Sequence, residues 1–94
     1  MDSKTSFTYE ELLDALLKNI KEMLVKKHHD YGADNLKKHG LIGINVRLDD
    51  KMARLNNFFE NTNVFKVDTE TAKDTYRDVA GYAIQAILLL DNLL

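Results

Sequence analysis

The chain has 94 residues with neither cysteine nor proline, and its 13 basic and 15 acidic side chains leave a net charge of −2. That length suits one domain, residues 1–94, rather than two, and without cysteine neither a disulfide framework nor a thiolate zinc site can form. Near-neutrality excludes the broad positive field that duplex nucleic acid requires, and no apolar run approaches the roughly 18 residues of a membrane span.

Residues Met1 to Thr8 are polar and carry no apolar core of a signal peptide, so the sequence reads as cytoplasmic. With no proline and only Gly32, Gly40, Gly43 and Gly81, little interrupts helical runs, and an all-α fold is expected.

The first helix opens at Thr8-Tyr9-Glu10-Glu11, a capping box in which Thr8 and Glu11 satisfy each other's amides. Phe7 and Leu12 occupy the positions of a hydrophobic staple. Leu12, Leu13, Leu16, Leu17, Ile20, Met23 and Leu24 recur at helical spacing and predict one buried face over about four turns. Lys26, Lys27, His28 and His29 suit the negative end of the helix dipole, and Gly32 can supply the stop.

From Gly32 to Gly43 the pattern is short and irregular, and predicts a structured connector with one or two turns over Asn35 to His39. A second long helix is expected from Ile44 to about Glu60, with Ile44, Val46, Leu48, Met52, Leu55, Phe58 and Phe59 as its apolar positions. Asn61-Thr62-Asn63 reads as a turn and Val64 to Val67 as a brief extended stretch. Asp68 or Thr69 then caps the last helix, with Glu70 in its first turn. The expected architecture is a small bundle of three long helices and a short connector helix, completed by oligomerisation.

Two charged stripes are the candidates for chemistry. Glu70, Asp74 and Asp78 are spaced four and four, so each is turned only about 40° from the one before. They are the candidate Mg²⁺ ligands. On the second helix Arg47, Lys51 and Arg54 present three cations along one side and are the candidate phosphate-binding residues. If the two helices pack antiparallel, the stripes face one another. They then form either an ion-pair network or a site in which cations hold phosphate oxygens and carboxylates hold Mg²⁺. His28, His29 and His39 read as surface residues, since adjacent helical positions point about 100° apart and make poor paired ligands.

Three blocks resemble the nucleotide modification associated domain 1 family of bacteriophages and prophages. They are Asp30-Tyr31-Gly32; Arg47-Leu48-Asp49-Asp50-Lys51 with Arg54-Leu55; and Glu70 with Asp74-Thr75 and Asp78-Val79-Ala80-Gly81-Tyr82-Ala83, together spanning residues 30–83. The resemblance implies a link to nucleotide or modified-base metabolism and, for a phage-encoded chain, a place in the host cytoplasm. More distantly the last helix is similar to that of all-α nucleoside triphosphate pyrophosphatases of the MazG and dimeric dUTPase type, whose two acidic pairs hold Mg²⁺. Here Asp50-Lys51 and Arg54 stand where one acidic pair would be, which removes about half of the implied metal ligands.

The expected function is therefore nucleotide binding without turnover, sequestering or recognising a nucleotide. The alternatives are a Mg²⁺-dependent pyrophosphohydrolase and a structural or protein-binding phage factor. The second half of the last helix carries Ile84, Ala86, Ile87, Leu88, Leu89, Leu90, Leu93 and Leu94 and leaves almost no polar face. A homo-oligomer through Ile84, Ile87, Leu88, Leu90 and Leu94 is the expectation.

Overall fold

Helix α1 (Tyr9–Tyr31) begins where its sequence dictates. In the computed structural model, which describes residues 6–61 and 69–93, the Glu11 amide donates to Thr8 Oγ1 at 3.1 Å and the Thr8 amide to Glu11 Oε1 at 2.9 Å. Two of the four amides that a helix start leaves unpaired are thereby satisfied. At the far end the chain turns at Gly32, whose φ of 85° favours glycine. Its amide donates to the His28 carbonyl at 2.9 Å.

Helix α2 (Ala33–Asn61) starts earlier than the sequence pattern indicates. The expected connector and the helix expected from Ile44 form one element, bent at Gly40 with φ 60° and ψ −157°. The connector turn over Asn35 to His39 is the first arm of this element. Glycine lets the chain leave helical geometry for a single residue and resume at once, so no loop is needed. The bend folds the backbone so tightly that a Cβ at Gly43 would fall on His39 Cβ.

Helix α3 (Thr69–Leu90) stops four residues short of the end of its apolar run. Asn92 adopts φ 59°, its amide donates to the Leu89 carbonyl at 3.1 Å, and the Leu93 amide donates to the Leu88 carbonyl at 2.9 Å. This pair of bonds is a Schellman motif, with asparagine in the left-handed position usually held by glycine. The turn and extended stretch expected over 62–67, the Asp68 cap and Leu94 lie outside the described residues.

The chain is all-α, and no strand occurs among the described residues. Nor is any of their helices long and apolar enough to cross a membrane. Helices α2 and α3 run antiparallel: Lys51 meets Asp78, while Ile44 and Arg47 share a cavity with Tyr82 and Gln85. Helix α1 runs parallel to α3, with Leu16 and Ile20 near Lys73 to Arg77 and Leu24 against Gly81, where an added Cβ would lie 3.0 Å from Leu24 Cδ2.

Among the described residues few are buried: Ile20, Ile44 and Leu55, with Thr75 and Gly81 on α3, the Thr75 hydroxyl donating to the Thr71 carbonyl at 2.9 Å. The buried face expected on α1 is covered only in part. Ile20 is buried and Met23 and Leu24 are half-buried, but Leu12, Leu13, Leu16 and Leu17 are 56%, 37%, 46% and 54% exposed. Phe7, of the expected staple, is exposed as well. The reason lies in the packing. Helix α1 touches α3 closely at Gly81 and leaves a groove of about 260 Å³, lined by Leu16, Ile20, Tyr76, Arg77 and Ala80, nearer its start.

Candidate functional site

All three helices contribute charge to one junction. Lys51 Nζ of α2 lies 3.0 Å from Asp78 Oδ2, and Lys27 Nζ of α1 lies 3.5 Å from Asp78 Oδ1. The Lys51 and Asp78 side chains are each 22% exposed, so this pair is only partly screened by water. Two ammonium groups share one carboxylate, and the junction keeps an excess of positive charge.

The other sequence candidates separate. Asp74 accepts from Arg77 Nη1 at 2.8 Å, and Glu70 lies 3.5 Å from Lys73 Nζ, both within α3 and both on exposed carboxylates. The acidic stripe is thus divided among four cationic partners, Lys73, Arg77, Lys51 and Lys27. Among the described residues no three histidine or carboxylate side chains gather closely enough to hold a metal ion. Arg47 and Arg54 are exposed and lie two turns apart, roughly 10 Å along the helix. Of the basic stripe, Arg47 alone lines the cavity beside the Gly40 bend.

That cavity, about 250 Å³, opens where α2 bends. Lys27, His28 and Tyr31 come from the end of α1; Asn35, His39 and Arg47 come from the two arms of α2; Tyr82 and Gln85 come from α3. The lining holds two permanent cations, two imidazoles, two phenols and two carboxamides, and no carboxylate. A site so composed attracts an anion and offers rings and amides to a planar, hydrogen-bonding group.

The three sequence blocks converge here. Tyr31 and Gly32 of the first, Arg47 of the second and Tyr82 of the third all face the same space. Lys27, His28, His39, Asn35 and Gln85 are lining residues that sequence reasoning did not select. Helical spacing within each element gave no sign of them, because they meet only across the Gly40 bend. The signal available was the pair Gly40 and Gly43, two glycines three apart in a chain with only four.

One ionisable group stands away from the cavity with a clear perturbation. The hydrogen bonds from the Thr8 amide and hydroxyl region hold the Glu11 carboxyl below its ordinary value of 4.5, the backbone bond contributing most. No family model, curated protein or solved structure matches the chain.

Proposed function

We propose that this protein binds a nucleotide in the cavity at the Gly40 bend, without turning it over. The observation that carries the reading is the lining itself, cationic and aromatic with no carboxylate. Arg47 receives phosphate oxygens through its guanidinium fork, and Lys27 adds a second positive charge from the opposite wall. Tyr31 and Tyr82 offer ring faces to the base, and Gln85 and Asn35 offer donors and acceptors to its edge. Lys51, bound to Asp78, tunes the field one turn from Arg47 and does not itself reach the ligand. The likeness of the three blocks to a phage nucleotide-linked family points to the same ligand class.

Thermal shift or calorimetry with mononucleotides, cyclic dinucleotides and ADP-ribose derivatives tests the reading. A ligand at 100 times its dissociation constant should stabilise the fold by about 2.7 kcal/mol. No stabilisation by any member of the panel overturns nucleotide binding. Phosphate or pyrophosphate release with Mg²⁺ in the same samples overturns binding without turnover and returns Glu70, Asp74 and Asp78 to consideration as metal ligands.

We also propose that the protein works as a homo-oligomer. On α3, Ile87 and Leu90 are 57% and 64% exposed, and Ile84 and Leu88 are half-buried, so an apolar strip remains for a second chain to cover.

A further inference from the structure

Lys27 stands in two places at once. It lines the cavity at the Gly40 bend, and its Nζ lies 3.5 Å from Asp78 Oδ1. The other oxygen of that carboxylate is held more closely, by Lys51 Nζ at 3.0 Å, and the Lys51 side chain is 22% exposed where that of Lys27 is 43% exposed. Lys27 is therefore the looser and more solvated partner of the two. An anion entering the cavity competes with Asp78 for it, whereas Lys51 stays with Asp78 and keeps that carboxylate from being left unpaired.

The charge available to such an anion is small. Two ammonium groups and one carboxylate leave the junction a single net positive charge. Arg47, on the cavity wall and in no ion pair among the described residues, adds a second. Lys26 and Asp30, next in sequence to the lining residues Lys27 and Tyr31, offset each other at 3.0 Å. Two positive charges match one terminal phosphate, which carries about −1.5 to −2 near pH 7. A longer phosphate chain brings more negative charge than this wall offsets, and Mg²⁺, its usual companion, is held by carboxylates together with phosphates. None of the described lining residues is acidic, and both oxygens of Asp78 already face an ammonium group. At about 250 Å³ the cavity also lies just under the roughly 300–1,000 Å³ of pockets for drug-sized ligands, which favours one nucleotide unit over two.

Resting on the nucleotide reading proposed above, we infer that the ligand is a nucleoside monophosphate bound without a divalent cation, and that Asp78 limits its charge by holding back part of Lys27. Asp78 is thus a specificity-determining residue that touches no ligand atom. Lys51 is its counterweight, because in its absence Asp78 takes Lys27 for itself.

Calorimetric titration of the full chain with the common nucleoside 5′-monophosphates and the matching triphosphates, each with and without Mg²⁺, tests it at pH 8, where a terminal phosphate is dianionic and a free imidazole neutral. A monophosphate should bind at least about tenfold more tightly than its triphosphate, and Mg²⁺ should tighten neither. Asp78→Asn frees Lys27 and should tighten the monophosphate about three- to tenfold and the triphosphate by more. Lys51→Met should weaken the monophosphate about three- to tenfold, although Lys51 is not among the lining residues. The double variant K51M/D78N restores the charge and should bind within about threefold of the unmodified chain. Damage to the fold can only weaken binding, so the gain in Asp78→Asn and the recovery in the double variant separate charge from structure, and circular dichroism checks that each variant is folded. Should Asp78→Asn fail to fold, Lys51→Met decides the role of Asp78 by itself. No binding by any nucleotide overturns this inference and nucleotide binding together. A triphosphate, cyclic dinucleotide or ADP-ribose derivative that binds more tightly than every monophosphate overturns the single phosphate and leaves nucleotide binding standing. Monophosphate affinity unchanged by Lys51→Met overturns the part assigned to Asp78.

Discussion

Lys51 and Asp78, 27 residues apart in sequence, bring Nζ and Oδ2 to 3.0 Å at a point where Lys27 approaches the other carboxylate oxygen. One anion serves two cations, so the two ways of breaking the contact are unequal. Asp78→Asn leaves both ammonium groups facing each other without an acceptor of full charge. It should cost about 1–3 kcal/mol, between the values for exposed and fully buried pairs. Lys51→Met keeps the Lys27 contact and much of the packing of the lysine stem, and should cost under about 1 kcal/mol. Urea denaturation of the two variants, read at equal ionic strength, checks the order. Equal losses would show that Lys27 takes no share of the charge.

Arg47 and Arg54 carry the same group on the same helix, and only Arg47 lines the cavity. On the proposed function, Arg47→Ala should weaken the nucleotide found in the ligand panel about ten- to a hundredfold, the worth of a charged hydrogen bond. Arg54→Ala should leave affinity within about threefold, since it can act only at long range through screened water. Calorimetric titration of both variants decides the matter. Comparable losses would move the phosphate site onto the exposed stripe and away from the bend.

The glycines on α2 and α3 should respond differently to a methyl group. At Gly81 the added Cβ meets the ends of two flexible side chains, Leu24 Cδ2 at 3.0 Å and Met23 Cε at 3.4 Å. Both can give way, and alanine recovers up to about 1 kcal/mol of helix propensity, so Gly81→Ala should change stability by less than about 1 kcal/mol. At Gly43 the added atom falls on His39 Cβ, which is fixed to the backbone. Gly43→Ala should cost about 1–3 kcal/mol despite the same propensity gain. Thermal melts of the two variants, compared directly, would refute the reasoning if Gly81→Ala proved the worse.

Acid should loosen the start of α1 through Glu11. Its carboxyl is held below the ordinary value of 4.5 in the folded chain, so the folded state favours the ionised form. The cap therefore contributes stability above that pH and loses it as pH falls through the lower folded value. Glu11→Gln should abolish this part of the pH dependence while leaving the Thr8 bond to the Glu11 amide position in place. Amide exchange at residues 9–12, followed between pH 6 and pH 3, checks it. A dependence unchanged by Glu11→Gln would mean that another group titrates there.

What the sequence made legible follows from range. The capping box needs only residues three apart, and Thr8 and Glu11 form it as their spacing predicts. Lys51 and Asp78 could be placed on facing stripes from helical periodicity, and they meet. Periodicity could not say that Asp74 turns to Arg77 on its own helix, because the choice between a local and a distant cation depends on side-chain reach after packing. Nor could it join the connector to the second helix, since a glycine reads equally as a stop and as a bend. The cavity residues were hidden for the same reason: Tyr31, His39 and Tyr82 become neighbours only once Gly40 sets the direction of the chain.

That direction makes the first arm of α2 a lever. From residue 33 to Gly40 the arm spans roughly 10 Å at helical rise, so a rotation of about 10° at the bend carries its far end about 2 Å. Asn35, Leu36 and His39 ride on the arm, whereas Ile44 and Arg47 stay with the body of α2. The width of the cavity thus depends on two dihedral angles of one residue, itself part of the lining, and a Cβ added there would meet no atom within 4 Å. Gly40 is half-buried, but the direction its Cβ would take is open. Alanine there would act on ligand size through the strain of its backbone at φ 60°, and would retune what fits.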